Sequence, residues 1–410
     1  MTHRTLTCIG IALLASLTAI NRTGLADDIG IGTHENWVTA SAVHGNRLLT
    51  SGGQSLQYRA GDVIIWDLTS GKMLKKLEGH ESNVWAIAVS PDGTKVVTTA
   101  YDGKVIVWDS AAGESLATLE KHKGWTRAVD FAPDGAHFAT AGEDGSVVIW
   151  KASDHTEVRT IKAHESAIYD IQFSPDGKSL ATASVDKTVR ILNWSADKDH
   201  ETAKLEGHED AVWAVAYAPD GSWLASAGAD RRIRFWSASG EAQGEMVGHR
   251  DWISDLAISA DGTTLFASDL SRCVKVWSTT EKKALSEFKG FQASVWTVTA
   301  TADRLIFGTH KGLRIWNTAS KGEAFFVARE KKENEPERLA ITEGEPEIVI
   351  PREPEPEVRP PNPKIPEPKK DEPKKDEPKK DEPKKDEPKK DEPKKDEPKK
   401  DEPKKDEVKK

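Results

Sequence analysis

Apolar and polar positions alternate in short runs along most of the chain, and the runs come back at a fixed spacing. Val84 to Val89, Lys95 to Ala100 and Lys104 to Trp108 alternate and are rich in β-branched residues, which predicts three strands. Between the first two lies Ser90-Pro91-Asp92-Gly93, where Pro presets φ and Gly accepts a positive one, so the chain reverses sharply. The same reversal recurs at Ala132-Pro133-Asp134-Gly135, Ser174-Pro175-Asp176-Gly177, Ala218-Pro219-Asp220-Gly221 and Ser259-Ala260-Asp261-Gly262. Tyr101-Asp102-Gly103 turns the second run into the third, and a more polar run such as Lys72 to Leu77 supplies a fourth strand.

Two independent markers measure the period. Tryptophans that end the third run stand at Trp66, Trp108, Trp150, Trp236, Trp277 and Trp316, with Leu192 in the fourth place. A histidine about 28 residues upstream of each runs His34, His80, His122, His164, His208 and His249, with Phe291 in the seventh place. Seven units of about 42 residues nearly fill residues 27–329 and leave no room for a second folded domain. One such sheet buries too little to stand alone, whereas seven packed face to face around an axis cover each other and shield their edges. The prediction is an all-β, seven-bladed β-propeller of four-stranded antiparallel blades. Glu323 to Val327 is expected to complete the last blade, because only seven residues separate the expected mature amino terminus from His34.

The paired residues Gly79-His80 with Trp108-Asp109, Gly207-His208 with Trp236-Ser237, and Trp66-Asp67 resemble the WD-repeat family of β-propellers, over roughly residues 34–328. The Trp-Asp pair is altered at Trp150-Lys151, Leu192-Asn193, Trp277-Ser278 and Trp316-Asn317. The resemblance implies that His80, Thr98, Asp102 and Trp108 form a hydrogen-bonded tetrad, repeated as His122, Thr140, Asp144, Trp150 and as His208, Ser226, Asp230, Trp236. Blade four keeps His164, Thr182 and Asp186 without the indole, blade six has Ser271 at the aspartate position, and blade seven, with Phe291 and His310, lacks the set. Histidines dealt one to a blade cannot converge on one ion about 2 Å away, so no metal is expected. No nucleophile motif, Walker loop, dinucleotide fingerprint or haem-attachment motif occurs, so neither catalysis nor a cofactor is expected.

The remaining tryptophans point to a surface. Three positions past the histidine place stand Trp37, Trp125 and Trp252, and five past it stand Trp85, Tyr169, Trp213 and Trp296, so each unit has one aromatic at one of two sites. Arg127 takes the fifth site in blade three, and Tyr101 precedes a turn aspartate. In the family resembled, these sites rim the central channel, and Trp, Tyr and Arg dominate protein-binding hot spots. The expected role is therefore a non-catalytic scaffold for a protein or peptide on this face. A glycan-binding propeller using the indoles as stacking platforms is the alternative, followed by an enzyme with its site at the channel mouth. Simple filling of space between blades would use the same aromatics, as would a mixed arrangement with one face packed and one wet.

Flanking segments bear on location. Arg4 precedes an uncharged run from Thr5 to Ile20, too short to span a bilayer, and small residues follow up to Ala26, as in a secretory signal. Residues 1–26 are read as that signal, with a periplasmic or secreted chain after cleavage and an amino-terminal anchor if it is retained. Its removal would take Cys8 and leave Cys273 with no partner. Residues 330–367 form a Pro/Glu-rich linker, and 368–410 carry eight copies of Pro-Lys-Lys-Asp-Glu, expected to be a disordered tail and a candidate contact for a cell-envelope polymer. The net charge of −9 and the absence of a concentrated basic segment argue against nucleic acid.

Overall fold

The computed structural model describes residues 37–53, 59–198 and 200–317, with the backbone of strands Gly322–Ala328 and Ile348–Val349. The chain divides into two units, Met1–Pro354 and Glu355–Lys410, and the described residues belong to the first. The expected signal, His34, the 368–410 tail and most of the linker lie outside them.

Seven sheets form, each from four strands consecutive in sequence and antiparallel throughout, at residues 37–77, 84–119, 126–162, 168–205, 212–247, 253–288 and 295–328. No helix occurs among the described residues. The reversal glycines Gly93, Gly135, Gly177, Gly221 and Gly262 have φ between 69° and 71°, the conformation for which the Pro-Asp-Gly pattern selects. Blade seven takes its fourth strand, Gly322–Ala328, from the carboxy-terminal side, so no strand is exchanged between the first and last blades. Blade six departs from the four-strand expectation. Ile348–Val349, inside the segment read as linker, pairs with Glu287 and Phe288 at its outer edge and makes a fifth strand. An Ile-Val pair in a polar segment is a natural strand former, and an open edge offers it backbone partners.

The core lies between blades rather than within them. Trp108 packs with Leu49, Ile65 and Leu77 of blade one, Trp236 with Ala181, Ile191 and Leu205 of blade four, and Trp277 with Ala227, Ile233 and Met246 of blade five. Each indole that marks the period is thus a wedge against the preceding sheet. The seventh such cluster joins Ile306, Leu313 and Ile315 to Val38, Leu48, Ile64 and Trp66. With Thr299 Oγ1 donating to the Ser41 carbonyl at 3.1 Å and Arg304 donating to the Leu68 carbonyl at 3.0 Å, it joins blade seven to blade one.

Innermost in each blade is its first strand, and these seven strands touch in turn around the axis. All seven share one irregularity. Pairing with the second strand skips a residue near the start, leaving Thr39, Trp85, Arg127, Tyr169, Trp213, Ser254 and Trp296 unpaired. A β-bulge turns its extra residue out of the pleat. Repeated at one level, it brings five of these side chains, Trp296, Trp85, Arg127, Tyr169 and Trp213, into a chain of contacts.

Candidate functional site

The bulge residues and their neighbours form a continuous cluster. Trp37 lies 4.0 Å from the His310 ring, His310 lies 5.2 Å from Trp296, and Trp296 meets Trp85 edge-on at 6.2 Å. Across the ring, Tyr101 contacts Trp125 at 5.7 Å, Trp125 contacts Tyr169 at 5.9 Å, Tyr169 contacts Trp213 at 5.7 Å, and Trp213 contacts Trp252 at 5.1 Å. Arg127 joins the two arcs, its guanidinium 4.3 Å from the Trp85 ring centroid and 3.9 Å from that of Tyr169. All nine rim residues expected from sequence are therefore brought together. Their exposure is mixed: Trp85 is buried, most of the others are half-buried, and Trp252 is 46% exposed.

The two blades whose bulge residue is small use it differently. Thr39 donates to the Val84 carbonyl, and Ser254 donates to the Val295 carbonyl at 2.7 Å, so each hydroxyl ties its blade to the next. In those blades the aromatic comes from two positions earlier, as Trp37 and Trp252. His310 is a rim residue that sequence reasoning placed only as a missing tetrad member; its proximity to Trp37 depends on ring closure.

Below the rim, side chains on the inner strands bridge blades. Asp130 accepts from the Phe173 N–H at 2.8 Å, Asp170 from Val215 N–H at 2.9 Å, and Asp255 from Val298 N–H at 2.9 Å and the Thr297 hydroxyl at 2.8 Å. Gln172 accepts likewise from Tyr217 N–H. Burial pushes Asp130 up to about 7 against two backbone N–H bonds, and Asp255 up to about 6. Burial also holds Asp170 well above the ordinary carboxylate range, with the charges of Asp255 and Asp130 adding to the effect. A carboxyl whose folded pKa exceeds its unfolded value near 3.9 contributes stability below that value and loses it as pH rises through the folded pKa. Asp130→Asn never ionises but gives up an acceptor oxygen. It is expected to melt below wild type at pH 5, with the gap narrowing by pH 8; a gap that widens would contradict the assignment.

Residues of the expected tetrads meet as chains of hydrogen bonds. In blade two, Trp108 Nε1–H donates to Thr98 Oγ1 at 2.8 Å, Thr98 lies 2.8 Å from His80 Nε2, and His80 Nδ1 lies 3.2 Å from Asp102. The corresponding separations are 2.9, 2.9 and 3.2 Å in blade three, and 2.8, 2.8 and 2.7 Å in blade five. An indole N–H can only donate and a carboxylate can only accept, so the hydroxyl accepts from the indole at one end of each chain and His Nδ1–H donates to the aspartate at the other. Against burial, which raises it, the bonds from His122 and from the Lys123 and Ser146 N–H groups hold Asp144 down at about 2. Blade four keeps His164 with Thr182 at 2.7 Å and Asp186 at 2.8 Å, and Thr182 turns its hydroxyl to the Arg190 carbonyl at 3.3 Å.

Blade six is rewired in a way its sequence did not disclose. Ala267 stands at the hydroxyl position, and Trp277 Nε1–H donates directly to His249 Nε2 at 3.3 Å. Asp269, two residues before the expected aspartate place, takes the His249 Nδ1–H at 2.8 Å, while Ser271 donates its hydroxyl to Asp269 at 2.6 Å.

No group of three or more His, Cys, Asp or Glu is placed to hold a metal among the described residues, and no helix there is long and apolar enough to cross a membrane. Seven face-packed sheets, interblade indoles and His-hydroxyl-indole chains define a β-propeller of the repeat-built class. Residues 84–245 match the family model of the echinoderm microtubule-associated protein second β-propeller, and residues 240–278 match that of the WD domain, G-beta repeat. These matches and the seven-bladed ring support a WD-repeat β-propeller family for the chain. Propellers of this family are typically protein-interaction scaffolds without catalytic activity.

Proposed function

We propose that this chain is an exported, non-catalytic platform that docks a protein or peptide on the bulge-built rim of its propeller. The observation that carries the reading is the convergence of one aromatic from every blade in one cluster, where the exposed Trp252 adjoins the half-buried Trp213 and, through it, Tyr169 and Trp125. Such a surface offers rigid, amphipathic contact area at low entropic cost, as interface hot spots do. Export is the setting implied by the apolar run behind Arg4.

The test combines Trp125→Ala, Trp213→Ala and Trp252→Ala in one variant. Proteins retained from an envelope extract by wild type are identified, purified and titrated against both forms. The variant is expected to stay folded and to lose at least tenfold in affinity for the retained protein. A folded variant that binds with undiminished affinity would remove the rim as the docking face, and loss of glycan retention alone would move the reading to a lectin-like propeller.

A further inference from the structure

The rim is already occupied by one of the chain's own cations. Arg127 sits within 4.3 Å of the Trp85 ring centroid and 3.9 Å of that of Tyr169, with the Trp125 and Trp213 centroids each at 5.9 Å. Aromatic faces attract cations, so an open cage of these rings would select a cationic ligand. Here the guanidinium fills that role internally, and a second cation would meet its repulsion.

Two indole donors and a guanidinium without an ion pair are left over at this mouth. Among the described residues Arg127 makes no ion pair or hydrogen bond, and the aromatic rings its guanidinium carbon lies over offer its N–H groups no carboxylate. Trp85 Nε1, Trp296 Nε1 and His310 Nε2 are buried with no hydrogen-bond partner in the same cluster. The channel carboxylates Asp130, Asp170 and Asp255 are engaged with the backbone of the following blade, and Glu143 at the rim accepts from Trp125 N–H at 3.3 Å. Asp170 favours the charge on Arg127 without pairing with it, while burial opposes that charge and pushes its pKa down to about 10. A desolvated guanidinium lacking a counter-charge is costly, and a planar carboxylate is the group its N–H edges fit.

We infer that the rim recognises an acidic peptide, seating one side-chain or terminal carboxylate of the partner on Arg127 while the peptide lies across Trp125, Trp213 and Trp252. This rests on the docking reading above and names its ligand chemistry. Charge complementarity selects the occupant: the site supplies the cation and the donors, so the partner supplies the anion.

The experiment pans full-length protein against a random heptapeptide display library, in parallel with Arg127→Gln, Arg127→Lys and the triple tryptophan variant. Each selected peptide is then titrated beside its amide isostere, with Glu changed to Gln or Asp to Asn. Wild type is expected to select peptides with one fixed acidic position that lose at least tenfold in affinity as the amide. That ratio falls to near one in Arg127→Gln and is partly kept in Arg127→Lys, which retains charge but not the planar fork. Selected peptides without a fixed acidic position, or an undiminished ratio in folded Arg127→Gln, overturn the carboxylate assignment and leave the rim as docking face. If Arg127→Gln does not fold, equal binding of acid and amide peptides to wild type overturns it equally. No selected peptide at all, or equal binding to the triple tryptophan variant, overturns the docking reading and this inference with it. Competition by a synthetic Pro-Lys-Lys-Asp-Glu repeat at similar affinity overturns the partner as occupant and assigns the site to the chain's own tail.

Discussion

Asp269→Ala is expected to destabilise the protein by about 3 to 4 kcal/mol, more than removal of Asp102 or Asp144 in the tetrads of blades two and three. Both side chains of the His249–Asp269 pair are fully shielded, whereas Asp102 and Asp144 keep 9% and 16% exposure and can recruit water when their partner is altered; Asp230, at 3%, lies between. The carboxylate accepts from His249 Nδ1–H, from the Ser271 N–H at 2.9 Å and from the Ser271 hydroxyl. Alanine strands the His249 Nδ1–H in a space closed to solvent, while the two donors of the exposed Ser271 can turn to water. Burial also holds the His249 pKa below its usual value. Asp269→Asn keeps one acceptor oxygen and should lose less. Urea unfolding of the three proteins checks the order; an Asp269→Ala loss under about 1 kcal/mol would mean that the pair does not brace blade six.

Trp108→Ala should cost about 3 to 5 kcal/mol, the range for deleting a large buried aromatic. Trp108 is 1% exposed, packs in the cluster shared by blades one and two, and lies so close to Gly79 that a Cβ there would stand 2.9 Å from its ring. Blade four shows which part of the cost is volume: Leu192 replaces the indole, is itself 1% exposed, and Thr182 redirects its hydroxyl to a backbone carbonyl. Trp108→Leu is accordingly expected to retain more stability than Trp108→Ala. Equal losses in calorimetry would place the weight on the N–H bond to Thr98 instead of on packing.

The parts of this structure that were legible in the sequence are those repeated with bulky markers. Tryptophan at the end of the third strand and histidine before the first keep step because each blade needs the same wedge and the same brace. Runs such as Val84–Val89 and Lys95–Ala100 fall where alternation placed them. What stayed hidden depends on partners that spacing does not encode. Which first-strand residue is squeezed out of pairing is decided by register with the second strand, so Thr39 and Ser254 looked like ordinary polar strand residues. Asp130, Asp170 and Asp255 bond to the following blade, a neighbour in the ring that their own blade's pattern does not mark. Asp269 escaped notice because it reaches His249 from two residues earlier than its counterparts. The Ile348–Val349 strand was masked by the acidic, proline-rich composition around it.

Only if blade seven abuts blade one do Trp296 and Trp85 meet and the rim aromatics gather in one cluster. Ser41 Oγ and Thr299 Oγ1 lie 2.8 Å apart across that junction. Ser41→Cys combined with Thr299→Cys should form an intramolecular disulfide under mild oxidation, seen in the monomer as a reducible loss of two hydrogens in mass spectrometry. Two thiols that stay free, or that link only between molecules, would contradict a ring closed at this junction.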